Sequence, residues 1–242
     1  MIVIENLKKT FGEKTAVDIE HLNIRQGAII GLVGNNGAGK TTLFRLMLDL
    51  LKADEGQVMI QTTDPKTNQQ EQVNPAENEK WKTTTGAYID DGFLIDFLTP
   101  EEYFEFIGKV NNMTTEEINQ RQEDFTQLMG GEILGQKKYI RNLSAGNKQK
   151  VGIIAALFNH PQLVILDEPF NYLDPSSQNI LMKTIREYNR QTGATILVSS
   201  HNLQHTIDIS TRIILMEHGR LVKDLPNENR SAEKELEAYF NV

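Results

Sequence analysis

Apolar positions along this chain fall into runs of different kinds. Ile2 and Ile4, then Val17, Ile19, Leu22 and Ile24, then Val58 and Ile60 sit in short stretches with partial alternation. That pattern predicts an antiparallel sheet wet on one face. Residues 28–33, 163–166, 195–198 and 213–216 are near-continuous apolar runs, as expected of parallel strands covered on both faces. Elsewhere the spacing is helical. Residues 41–51 place Leu43, Phe44, Leu46, Met47, Leu50 and Leu51 on a helix. From 98 to 141 helical signals dominate: Thr99, Pro100 and Glu102 fit an N-cap, a first helical position and a capping-box partner. Thr114 with Glu117 opens another helix, carrying Ile118, Phe125, Leu128 and Met129 toward Gly130 and Gly131. Residues 61–85 are polar with two prolines and predict a loop plus a short solvated helix.

Composition narrows the class. At 242 residues and 39% hydrophobic content the chain can bury a full core. A formal net charge of −8 argues against a nucleic-acid partner, which would need a broad basic face. The absence of cysteine excludes disulfides, thiolate metal sites and cysteine nucleophiles. No apolar stretch approaches the roughly 20 residues that span a bilayer, and the first residues lack a basic flank with an apolar core.

The chemistry starts at Gly34, where the chain reads Gly34-Asn35-Asn36-Gly37-Ala38-Gly39-Lys40-Thr41-Thr42, of the form G-x-x-x-x-G-K-[ST]. The glycines let backbone N–H groups turn toward phosphate oxygens, Lys40 adds a charge on the β and γ phosphates, and Thr41 offers a hydroxyl to Mg²⁺. An apolar strand leads in and a helix N-terminus follows, so the loop is read as the cradle for a nucleoside triphosphate. A second feature is the apolar run 163–166 ending in Asp167, Glu168 and Pro169. It puts carboxylates at the carboxyl edge of a parallel sheet, where open α/β sheets bind ligands. Asp167 is expected to hold Mg²⁺, and Glu168 to orient or deprotonate an attacking water.

Leu143-Ser144-Ala145-Gly146-Asn147-Lys148-Gln149-Lys150 follows the helical stretch. Ser144 can cap a helix whose first turn exposes N–H groups, and Gly146 leaves room for a phosphate. This segment resembles the signature motif of ATP-binding cassette (ABC) ATPases. The order of the remaining motifs matches that family: Asn171-Tyr172-Leu173-Asp174 resembles its D-loop, Ser199-Ser200-His201 its switch histidine, and Phe11-Gly12 the place of an aromatic ring that stacks on adenine. The resemblance covers essentially the whole chain.

The resemblance implies a P-loop NTPase ABC ATPase core with an antiparallel β subdomain and a helical subdomain. Its expected bounds are 1–90 and 151–224 for the core, about 91–150 for the helical part and 225–242 for a C-terminal helix. It also implies ATP and Mg²⁺ as ligands, with His201 contacting the γ-phosphate. Two copies, or this chain and a second ABC ATPase, would pack head to tail, each signature segment closing on the nucleotide of the other. A separate integral membrane subunit would dock near residues 93–106, holding the chain on the cytoplasmic, inner face of the cell membrane. The alternative is a soluble ABC ATPase with a non-transport role.

Departures from the family pattern matter equally. Asp90, or Asp91 beside it, stands where a glutamine usually reaches Mg²⁺ and the water, and a carboxylate can serve a cation but cannot donate an amide hydrogen bond. Ala145 replaces the usual glycine of the signature, tolerable if its φ is negative, and Asn147 replaces a common glutamine. The run from Gly152 to Leu157 looks more like export-type cassettes than import-type ones, which usually carry an arginine near Ala155.

Overall fold

The computed structural model describes residues 1–63 and 67–240. Two sheets enclose most of the core. The first is antiparallel, with strand order β2-β1-β4-β5, where β1 is Ile2–Phe11, β2 Lys14–Ile24, β4 Glu55–Thr63 and β5 Gln70–Val73. The second has the order β10-β9-β3-β8-β7-β6. Its strands β3 (Ile29–Val33), β6 (Thr85–Tyr88), β7 (Leu163–Leu166), β8 (Thr195–Ser200) and β9 (Arg212–Glu217) are parallel, and β10 (Arg220–Pro226) closes one edge antiparallel to β9.

The continuous apolar runs are explained by burial on both faces of this second sheet. On β7, Leu163 and Ile165 join the core shared with the antiparallel sheet, while Val164 and Leu166 join the core under the helices. On β8, Leu197 takes the first side and Ile196 and Val198 the other. A period of 2 thus puts every residue against protein, and no polar position is left to alternate. Helix α1 (Lys40–Met47) fills the space between the sheets with Leu43, Phe44, Leu46 and Met47. It stops short of the expected Leu51 because Asp49 takes a left-handed φ of 51°, which ends a helix.

Between β6 and β7 lie the helices α2 (Pro100–Val110), α3 (Thr115–Asp124), α4 (Thr126–Met129) and α5 (Ala145–Leu157). Both predicted capping boxes form, Thr99 with Glu102 and Thr114 with Glu117. The second helix breaks at Phe125, so its expected run to Met129 is divided into α3 and α4. The expected limit at residue 150 falls inside α5. Beyond β7 come α6 (Pro175–Thr192), α7 (Leu203–Ile209) and α8 (Glu233–Phe240). The expected C-terminal helix from 225 begins only at Glu233, after β10 has run on to Pro226; residues 241 and 242 lie outside the described part.

The reading of 61–85 needs correcting. Its described residues hold the end of β4, strand β5 on the edge of the antiparallel sheet, and a short 3₁₀ turn at Lys80–Thr83 that buries Trp81. Pairing of β5 with β4 is set by a backbone ladder and by Val73 reaching the core, a signal too sparse to show as alternation. Residues 64–66 of that segment lie outside the described part.

Helix α5 is pressed hard onto the sheet. A Cβ at Gly86 of β6 would stand 1.8 Å from the Ala156 carbonyl oxygen, and one at Gly152 would stand 2.1 Å from the Tyr88 ring. The C-terminal end of α5 is held by Arg121, 7% exposed, which donates to the carbonyls of Leu157 (2.7 Å) and Phe158 (3.0 Å) and to Asp124 (2.7 Å). It fixes the helical insert to the core helix. Arg121→Ala is expected to destabilise the chain by about 3 kcal/mol, because it strands buried carbonyls and an acid; urea denaturation checks this, and a variant as stable as the parent would deny the contact its role.

Candidate active site

The phosphate-binding loop connects β3 to α1. Gly37 and Gly39 have φ of 82° and 109°, values that side chains resist, and a Cβ at Gly39 would lie 2.2 Å from the Ala16 carbonyl. Lys40 opens the helix and is 6% exposed; its ammonium donates to the carbonyls of Gly34 (2.6 Å) and Asn35 (3.4 Å). In this conformation the lysine curls onto its own loop. A cavity of about 300 Å³ lies here, lined by Phe11, Asn36, Gly37, Ala38, Gly39, Lys40, Thr41, Thr42 and Glu168, with Lys14 and Ala16 of the β1–β2 hairpin. Phe11 is half-exposed with Lys9 over its ring. Lys14 carries no recognisable motif and was invisible in the sequence.

Strand β7 delivers the two acids. Asp167 is buried and accepts from the Thr41 hydroxyl at 2.5 Å and from the Ser199 hydroxyl. Burial pushes its carboxyl above the ordinary range, an effect opposed by the hydrogen bonds from Ser199 and Thr41. Thr41 and Asp167 therefore already turn their oxygens toward each other, a donor set that suits a small hard cation completed by phosphate oxygens and water. No group of three or more acids and histidines able to hold a metal alone exists among the described residues.

Glu168 sits at the rim of the same cavity with a left-handed φ of 46°, a conformation costing about 1–2 kcal/mol for a side-chain-bearing residue. Its backbone is secured on both sides. The N–H donates to Ser199 Oγ at 2.8 Å, and the carbonyl accepts from Asn171 N–H (3.2 Å) and Gln149 Nε2 (3.1 Å). One carboxylate oxygen lies 3.5 Å from Lys40 Nζ and the other 2.7 Å from His201 Nδ1. The His201 backbone N–H also donates to that second oxygen, at 3.3 Å. The predicted Lys40, Thr41, Asp167, Glu168 and His201 thus converge.

Other predicted residues are placed differently. Asp90 does not join the Thr41–Asp167 pair; its carboxylate bridges to Arg45 at 3.0 Å and caps the turn at Asp91–Phe93 through Gly92 N–H. The arginine competes successfully because it presents a full positive charge on the neighbouring helix α1. Asp174 caps α6, accepting from Ser176, Ser177 and the Ser177 hydroxyl, so its carboxylate serves the backbone locally. Ser144 caps α5 as expected, accepting from Asn147 N–H at 3.2 Å, and Ala145 is the first helical residue, so its φ is negative. Gly146 has a local use: a Cβ there would stand 2.7 Å from the Tyr172 carbonyl. Ser144 and Gly146 do not line the phosphate-loop cavity of their own chain. A second cavity, about 390 Å³, separates them from it and is bordered by Asp90, Asp91, Ala145, Gln149, Asp167 and Glu168.

The profile of the family described as ABC transporter matches residues 17–171. This chain belongs to the ABC transporter family. It is 32% identical over 228 residues to the methionine import ATP-binding protein MetN of Geobacillus kaustophilus, covering 92% of this chain and 65% of that protein. With MetN of Rhizobium etli it shares 31% over 219 residues, 90% of this chain and 59% of that protein. The chain therefore spans less than two thirds of the length of these relatives. Its fold matches a dimeric ATP-binding cassette in a post-hydrolysis state with ADP and Pi bound, at a TM-score of 0.79 and 23% identity, covering 94% of this chain and 99% of that one. It also matches cbiO1 of Clostridium perfringens, part of the ABC transporter complex cbiONQ, at a TM-score of 0.74 and 25% identity, covering 99% and 94%.

Ser199 is the buried residue on which both acids depend. Ser199→Ala is expected to cost about 1–3 kcal/mol, the penalty for unpairing a buried polar group, measured by chemical denaturation. Unchanged stability would mean that Asp167 and Glu168 are held without it.

Proposed function

We propose that this chain is the ATP-binding and ATP-hydrolysing subunit of an ABC transporter, working as one half of a head-to-tail pair beneath a separate membrane-spanning subunit. The observation that carries this reading is Glu168 poised between Lys40 and His201 at the rim of the phosphate-loop cavity. A carboxylate there is placed to accept a proton from water attacking the γ-phosphate, and His201 holds it by a hydrogen bond. Phe11 offers its half-exposed ring to adenine. Asn35, Asn36, Gly37, Ala38, Gly39, Lys40, Thr41 and Thr42 wrap the phosphates, and Lys40 exchanges the Gly34 carbonyl for them. Thr41 and Asp167 would hold Mg²⁺, which supplies charge neutralisation on the β and γ phosphates.

Ser144, Ala145, Gly146 and Asn147 begin a helix whose N–H groups and positive dipole end favour an anion. Because they stand apart from their own phosphate loop, we assign them to the nucleotide of a second copy or a second ABC ATPase. Asp174, through the loop 171–174 that it anchors, is assigned to that same interface. Asp90 is left a lesser part than expected, as a carboxylate held by Arg45 until the pair closes. Residues of about 91–150 form the arm that receives the membrane subunit. Tyr103 and Phe104 are core, but Phe93, Phe97 and Phe106 are 47%, 62% and 47% exposed, an apolar surface suited to a helix of that subunit. No described helix is long and apolar enough to cross a membrane. For direction, the names of the MetN relatives support import, whereas export rests on Ala155 alone.

Glu168→Gln is expected to accumulate an ATP-bound dimer with turnover lowered at least 100-fold, read by size-exclusion chromatography and phosphate release; wild-type turnover would remove Glu168 from its role. Lys40→Ala should weaken ATP binding at least tenfold in a fluorescence titration. Phe97→Glu should leave basal hydrolysis intact and abolish stimulation by the reconstituted membrane subunit; intact stimulation would move the docking surface elsewhere.

A further inference from the structure

Two buried polar side chains to which the motifs give no role, Gln149 within the signature-like segment and Tyr88 on β6, form a chain that reaches the backbone of Glu168. Gln149, on the second turn of α5, donates from Nε2 to the Glu168 carbonyl at 3.1 Å. Its Oε1 accepts from the Tyr88 hydroxyl at 3.2 Å. Tyr88 ends β6 and is 3% exposed, and Gln149 is 6% exposed, and both border the second cavity beside Glu168. The direction of the chain is fixed by chemistry. A backbone carbonyl only accepts, so the amide must turn Nε2 toward it and Oε1 toward Tyr88, which must then donate. Burial and the nearby charges of Asp91 and Asp90 raise the Tyr88 pKa, keeping its proton in place.

We infer that Tyr88 and Gln149 are positioning residues for hydrolysis, holding the Glu168 peptide in its left-handed conformation and thereby aiming the carboxylate at the attacking water. This inference rests on Glu168 being the general base. A residue at φ 46° persists only where its surroundings over-determine it, and the hydrogen bond from Gln149 to the carbonyl is supplied from another element of the fold. The remaining bond to that carbonyl, from Asn171, comes from three residues along the same loop. Gly152 belongs to the device: the Tyr88 ring fills the space its side chain would take, at 2.1 Å from an added Cβ. Helix α5 therefore carries the serine cap at its first turn and the support of its own chain's base one turn later. Tyr88 in turn immediately precedes Ile89 and Asp90, at the start of the segment assigned to the membrane subunit. A shift of either element would reach Glu168 through one amide.

The test compares Tyr88→Phe, Gln149→Leu and the double variant, each purified and checked for ATP affinity and melting temperature, in single-turnover hydrolysis. Tyr88→Phe removes the hydroxyl and leaves the ring that fills the space beside Gly152. The expected result is a 5- to 20-fold fall in the hydrolysis rate for each single variant, ATP affinity within twofold of the parent, and a double variant no slower than the slower single. Gly152→Ala, which displaces the ring while leaving both polar groups, should reproduce the loss with a lowered melting temperature, and combining it with Tyr88→Val should recover the melting temperature but not the rate. Rates equal to the parent, additive losses, or losses that track ATP affinity would overturn the inference. Glu168→Gln run alongside separates the readings: if it hydrolyses normally, the assignment of the base fails; if it is inactive while Tyr88→Phe is normal, only the positioning role fails.

Discussion

The site depends on one buried hydroxyl. Ser199, at the penultimate position of β8, donates to Asp167 and accepts the N–H of Glu168, so a single side chain from the adjacent parallel strand holds both acids. Parallel pairing of β7 with β8, Leu166 opposite Val198, is what brings it there. A neutral donor is needed at that point. A charged side chain there would either pair with Asp167 and neutralise it, or repel it.

The charged groups of the site satisfy one another closely. Lys40 is held by carbonyls of its own loop and lies near Glu168, Asp167 receives two hydroxyls, and His201 takes the remaining oxygen of Glu168. These partners are the groups that phosphate and Mg²⁺ would replace under the proposed function. Mutual pairing of this kind lowers the cost of keeping a buried lysine beside a buried acid.

The helical insert is attached at two depths. Arg121 and the Phe104–Phe158 ring stack, 5.3 Å apart, bind it to the far end of α5. At the near end, the Tyr88–Gln149 contact joins α5 to β6 and to the Glu168 backbone. Between these anchors Phe93, Phe97 and Phe106 stand free of the core. Contacts at both ends of α5 thus tie the insert to the core and to the rim where Glu168 sits.

How much of this was legible in the chain itself differs by the range of the signal. Local chemistry was fully written: the glycines and Lys40 of the phosphate loop, the capping boxes at Thr99 and Thr114, the Ser144 cap, and the unbroken apolar runs of strands buried on both faces. Each needs only residues a few positions apart, so spacing alone encodes it. Edge strand β5 was missed because it is defined by a partner ladder and not by its own pattern. Asp90 was read toward a cation, since nothing in its neighbourhood in sequence reveals that Arg45 lies 3.0 Å away. Nothing local marks Gln149, inside the signature-like segment, or Tyr88 as partners, and only the close packing permitted by Gly152 shows that they meet. The sequence determined the phosphate-loop pattern, the acid-ended strand and the helix caps on which the proposed function rests. The tertiary structure decided which side chains hold those groups in register, because such support comes from residues distant along the chain and brought together only by burial.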